Sequence, residues 1–151
     1  MLEIKGFTGA GKSKLLKLLY EDAIKNKIFV MVLEPKHVEF KGCNTEYARV
    51  IQGETQEHEL KVFTYELKDL IKSKRKAIVL LDELGTYLNN DSIPSVIKGL
   101  ALKTINLANE TDGIRIYTTI AGHCSLEEMN NDISLARELE SLGENITKYS
   151  N

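Results

Sequence analysis

The chain has 151 residues, 42% of them apolar and 28% charged, and its 20 basic and 22 acidic side chains leave a net charge of −2. That size and mixture exclude a disordered chain and a multidomain assembly, and the near-neutral balance excludes a polycation that grips nucleic acid by bulk charge. One domain spanning residues 1–151 is expected.

Cys43 and Cys124 share no metal-ligand spacing with His37, His58 or His123, so reduced thiols and a cytoplasmic setting are expected. No run approaches the roughly 20 apolar residues that cross a bilayer, and MLEIKGF lacks the long apolar core of a signal peptide.

In chain order, a strand at Leu2–Lys5 leads into the loop GFTGAGKS and then a helix whose stripe is Leu15, Leu19 and Ala23. A second strand, Ile28–Leu33, ends at a loop punctuated by Pro35, and a short third strand is expected at Ala48–Ile51. Leu60, Phe63, Leu67, Leu70 and Ile71 repeat at helical spacing before the strand Ala77–Leu81. Pro94 starts a further helix, with Asp91 and Ser92 available as caps and Ile97, Ala101 and Ile105 as its buried face; a strand at Ile114–Thr119 follows. The remainder, from Ser125 to about Gly143, reads as one helix or two with a break near Asn130. IFVMVL and AIVLL are apolar without alternation, as in strands covered on both faces, so the pattern predicts an α/β domain around a mainly parallel sheet.

The residues Gly6 to Ser13 fit the spacing GxxxxGK[ST] between a strand and a helix. A triphosphate carries dense negative charge, so such a loop turns several backbone N–H groups inward, and Gly6, Gly9 and Gly11 permit the tight turn and close approach. Thr8, Gly9, Ala10, Gly11, Lys12, Ser13 and Lys14 are the expected phosphate contacts. Lys12 reaches the β- and γ-phosphates and the Ser13 hydroxyl completes a Mg²⁺ site. No GTP-selecting NKxD sequence occurs, which favours ATP.

AIVLLDELG delivers Asp82 and Glu83 at the C-terminal end of a buried strand, the end that faces ligand in a parallel sheet. Asp82 is expected to hold Mg²⁺ through water and Glu83 to polarise a water for attack on the γ-phosphate, although an acidic pair after a strand also serves as a solvated helix cap. A small-molecule kinase needs no such water-activating carboxylate and usually closes an Arg-rich lid, which is not seen between Gly85 and Ile114. IRIYTT ends in Thr118 and Thr119; Thr119 is a candidate γ-phosphate sensor or simply a good strand residue.

Taken in order, the phosphate loop, FVMVLEPKHVEF, AIVLLDELGTYL and DGIRIYTTIAGHCS resemble the motor domain of FtsK/SpoIIIE DNA translocases, within the FtsK–HerA superfamily of P-loop ATPases. Glu34-Pro35-Lys36 followed by Glu39 is similar to that family's DPK-x-x-E segment, with Glu in place of Asp. Ile120 follows Thr119 where the family commonly has Gln. The resemblance implies a three-layer, additional-strand P-loop NTPase of RecA/FtsK type, with the strand 114–119 lying between 2–5 and 77–81. It also implies ATP-driven movement of double-stranded DNA by a homo-oligomeric ring in segregation, conjugation or packaging, with room for docking on a membrane protein. The small phage-assembly ATPases of the Zot type offer the alternative of an ATP-dependent switch or assembly protein.

The cluster Lys72, Lys74, Arg75 and Lys76 precedes the Asp82 strand and is expected at the sheet edge opposite the nucleotide, as a solvated connector rather than a DNA contact. His37 reads as structural, and His123 beside Cys124 has no ligand partner in sequence. Phosphoryl transfer calls for a cation opposite Lys12, typically an Arg. Arg75 and Arg115 belong to the far edge of the sheet, which leaves Arg49 and Arg137 for presentation to a neighbouring subunit and predicts slow turnover by an isolated chain.

Overall fold

The computed structural model describes residues 1–6 and 12–121. The elements are β1 (Leu2–Gly6), α1 (Lys12–Lys25), β2 (Phe29–Leu33), β3 (Ala48–Ile51), α2 (Gln56–Ser73), β4 (Ala77–Leu81), α3 (Leu84–Leu88), α4 (Ser95–Asn109) and β5 (Ile114–Ala121). The helical reading of 125–143 lies outside the described residues, as do His123 and Cys124.

Five strands form one sheet in the order β1-β5-β4-β2-β3, and every pairing is parallel. β5 therefore separates β1 from β4, the order expected from the resemblance: Ile4 opposes Thr119, and Leu81 opposes Thr118. The apolar runs without alternation are explained by cover on both sides. Met31, Leu33, Val79, Leu81, Ile114 and Ile116 pack with α2, α3 and α4, whereas Val30, Val32, Ile78, Leu80 and Tyr117 pack with α1. The result is a three-layer α/β sandwich.

Local signals set the helix ends. Thr55 caps α2 by accepting the His58 N–H at 3.1 Å, with Glu57 and Glu59 in the first turn where the helix dipole favours negative charge. The expectation that Asp91 or Ser92 caps α4 is corrected: Pro94 occupies the cap position, with no side-chain cap bond. Asn90 causes the difference, because its side-chain oxygen takes the Ser92 N–H at 2.9 Å and holds a turn that ends before the helix begins. Gly113, at φ 89, turns the chain into β5 and gives its carbonyl to the Ala77 N–H.

β2 and β3 are parallel neighbours joined by residues 34–47 without a helix, so that crossover, running from the C-terminal end of β2 over the α1 face to the N-terminal end of β3, must satisfy its own polar groups. It does so by means that bear on the site.

Burial ranks the consequences of substitution. Leu16→Ala, at a fully buried position of α1, is expected to lower unfolding stability by about 2–5 kcal/mol. Val96→Ala, at a position 81% exposed on α4, should stay within about 0.5 kcal/mol. Urea unfolding midpoints compare the two.

Candidate active site

β1 ends at Gly6 and α1 begins at Lys12, so the start and end of the phosphate-loop motif fall on the expected strand and helix. Thr8, Gly9, Ala10 and Gly11 lie outside the described residues. Lys12 is buried, Ser13 is half-buried and Lys14 is exposed.

Asp82, only 6% exposed, joins three elements. The Ser13 hydroxyl donates to its Oδ2 at 3.0 Å, the Thr119 hydroxyl donates to its Oδ1 at 2.7 Å, and its own N–H donates to the Leu33 carbonyl at 2.9 Å. The Thr119 oxygen in turn accepts the Glu83 N–H at 2.8 Å. Thr119 thus spends its single hydroxyl proton on Asp82 while orienting the next residue's backbone. Thr118 is buried beside it.

Glu83 occupies the cap position of α3, yet its side chain makes no cap hydrogen bond. Its backbone is left-handed, at φ 51 and ψ 54, a conformation that costs a non-glycine residue roughly 1–2 kcal/mol. The bond from its N–H to Thr119 holds it there at the C-terminal edge of the sheet, where Lys36 Nζ lies 3.9 Å from its Oε2. A cavity of about 510 Å³ opens alongside, lined in part by Glu3, Glu83, Leu84, Thr118 and Thr119.

The loop after β2 is fastened at several points. Glu34, 2% exposed, accepts the N–H groups of Glu39 at 2.9 Å and Phe40 at 3.3 Å. Lys17 of α1 donates to the Glu39 carbonyl at 2.9 Å and lies over the rings of Tyr20 and Phe40. His37, left-handed at φ 53, sets Nε2 against the Glu59 carboxylate. Glu59 is 1% exposed and also accepts the Tyr87 hydroxyl at 3.1 Å. His37 is therefore a structural contact, as the sequence suggests. It also borders a cleft of about 920 Å³ shared with Lys41, Gln52, Gly53, Thr55 and His58.

Two residues of this arrangement escape motif reading. Glu59 carries a signal nonetheless, for it stands one turn before Phe63 on the apolar stripe of α2, where a carboxylate needs a buried partner. Lys17 carries none.

The arginines take other stations. Arg49 Nε donates to both carboxylate oxygens of Glu66, at 2.9 and 3.1 Å. Arg75 stacks over the Phe29 ring at 4.3 Å, near the N-terminal edge of the sheet where Lys72, Lys74 and Lys76 are also exposed. Arg115 opposes Ile78 near the same edge, and Arg137 lies outside the described residues.

Among the described residues no group of three or more His, Cys, Asp or Glu side chains forms a metal cluster. Ser13 Oγ and Asp82 Oδ2, hard oxygens 3.0 Å apart at the end of the loop motif, fit Mg²⁺, which usually takes one or two carboxylates and completes its shell with water and substrate phosphates. No helix among the described residues is long and apolar enough to cross a membrane. No protein-family model matches the chain, and no curated protein matches it.

Two measurements check this geometry. Thr119→Val removes a donor from Asp82 and an acceptor from the Glu83 N–H, so about 1–3 kcal/mol of stability should be lost and amide exchange at Glu83 should quicken. Burial, then the nearby Cys43, pushes the Tyr20 hydroxyl up to about 12, and burial with Glu59 pushes that of Tyr87 far above its ordinary value. Both hold their protons more tightly when folded, so their contribution is whole below pH about 10 and falls as the pH rises above it. Thermal unfolding between pH 9 and 11.5 should show this loss, with a shallower slope in Tyr87→Phe.

Proposed function

We propose that this chain is a Mg²⁺-dependent ATPase of the FtsK/SpoIIIE type that acts in the cytoplasm and, as a homo-oligomer, moves double-stranded DNA. The observation that carries the nucleotide reading is the bond from Ser13, the last residue of the phosphate-loop motif, to Asp82 at the end of β4, in a sheet whose β5 stands between β1 and β4. The DNA reading is supported by the order of the FtsK-like segments along the chain.

In this reading the N-terminus of α1 and the Lys12 ammonium bind the phosphates, since a helix start and a cation both favour concentrated negative charge. Ser13 and Asp82 would hold Mg²⁺, which when bound neutralises charge across the β- and γ-phosphates. Thr119 keeps the Asp82 carboxylate in one orientation and, through the Glu83 N–H, keeps Glu83 at the strand end. Glu83 accepts a proton from the attacking water.

Calorimetric titration and steady-state turnover test these roles separately. Lys12→Ala removes charged hydrogen bonds worth about 1.5–3 kcal/mol and should weaken ATP binding roughly 10- to 150-fold. Glu83→Gln should bind ATP normally and lose roughly 10²–10⁴-fold in turnover. Unchanged ATP affinity in Lys12→Ala refutes the nucleotide site. Double-stranded DNA should raise the turnover of the unmodified chain; ATP binding with turnover indifferent to DNA would instead identify an ATP-dependent switch or assembly protein.

A further inference from the structure

The loop between β2 and β3 places Lys36 beside Glu83, where the proposed reaction calls for a cation. Leu33 opposes Leu81, and the Asp82 N–H bonds to the Leu33 carbonyl, so the residues leaving β2 run beside Asp82 and Glu83. Pro35 restricts the backbone just before Lys36, and the left-handed His37 turns it just after. His37 then goes to Glu59 on α2 while Lys36 goes to Glu83. Glu34, by taking the Glu39 and Phe40 N–H groups, closes the loop behind them, and Lys17 ties it to α1. Lys36 thus projects from a braced backbone rather than from a free loop tip.

Its contact with Glu83 is an open one. At 3.9 Å it exceeds the 2.7–2.9 Å of a charge-assisted hydrogen bond, and the Lys36 side chain is 67% exposed, so its three N–H donors remain able to meet a further anion. Arg49, Arg75 and Arg115 are stationed elsewhere, at Glu66, at Phe29 and near the start of β5.

We infer that Lys36 is a catalytic cation that contacts the transferring phosphoryl group from its own chain; this rests on the ATPase reading above. In hydrolysis the water oxygen bonds to the γ-phosphorus as the bond from phosphorus to the β,γ-bridging oxygen breaks, leaving its electron pair on ADP. One water proton passes to Glu83 and then to solvent, and the other stays on the released phosphate. Negative charge spreads over the phosphoryl oxygens as this occurs, and the Lys36 ammonium beside Glu83 stabilises it. The charge complement of the reaction is then present in one chain, without an arginine from a neighbour.

The test uses the full chain with Mg²⁺ and ATP, comparing the unmodified protein with Lys36→Met, Lys36→Arg and, as a control on exposed α2, Lys72→Met. Lys36→Met should lower kcat by roughly 10²–10³-fold while ATP affinity stays within about threefold and the unfolding midpoint is unchanged. Lys36→Arg should restore most of the rate, Lys72→Met should behave as the unmodified chain, and specific activity should not vary with protein concentration across the monomeric range. The assignment is overturned if Lys36→Met turns over as fast or faster, which would make the Lys36–Glu83 pair a brake. It is equally overturned if Lys36→Arg is as slow as Lys36→Met, or if turnover rises more than linearly with concentration and ignores Lys36. An unmodified chain that fails to bind ATP refutes instead the nucleotide reading beneath it.

Discussion

Asp82 gives one carboxylate oxygen to Ser13 and the other to Thr119, and through these two bonds the start of α1 and the ends of β4 and β5 meet at one edge of the sheet. Burial makes the arrangement strict: a carboxylate 6% exposed needs partners, and donors from both sides leave it a single orientation. The effect passes along the chain, because Thr119 also receives the Glu83 N–H and so maintains a left-handed residue that the backbone alone would avoid. Strain of this kind persists only where surrounding bonds over-determine it. Here one threonine hydroxyl links the orientation of the candidate metal-binding carboxylate to that of the candidate base.

The loop after β2 shows the same economy. A parallel connection normally carries a helix that shields its polar backbone. Residues 34–47 have none, and the buried Glu34 carboxylate serves instead as an internal acceptor for two backbone N–H groups. Phe40, fully buried on the α1 side, gives the loop an apolar anchor, and the His37–Glu59 contact fixes its other flank against α2. This bracing lets an exposed lysine keep a defined place at the site.

Much of the fold was legible because its signals are local. Continuous apolar runs such as AIVLL mark strands covered on both faces, and the stripe of Leu60, Phe63 and Leu67 marks the face of α2 that covers one side. Strand order is a different matter, since no periodicity encodes which strands are neighbours; the expected order was only what the resemblance implied, and the sheet has it. Glu83 could be read from sequence as a cap or as a base, and only its left-handed backbone and uncapped side chain distinguish the geometries. The Lys36–Glu83 and His37–Glu59 contacts were hidden for a related reason: the first joins residues brought together by β2 lying beside β4, the second depends on α2 packing over β2, and neither leaves a local pattern. The caps expected at Asp91 and Ser92 failed through competition, since Asn90 formed its own turn first.

Strand order also bears on the chemistry open to the site. Adjacent strands lie about 4.8 Å apart, so with β5 interposed the ends of β1 and β4 are separated by roughly twice that distance. Across that separation Ser13, reaching over from α1, still touches Asp82. Thr119, at the end of the interposed strand, gives its hydroxyl proton to Asp82. The loop from β2, the next strand outward, brings Lys36 to Glu83. The inserted strand thus lets one hydroxyl, that of Thr119, meet both Asp82 and the Glu83 N–H, and the same order of strands brings Lys36 of the β2 loop to Glu83.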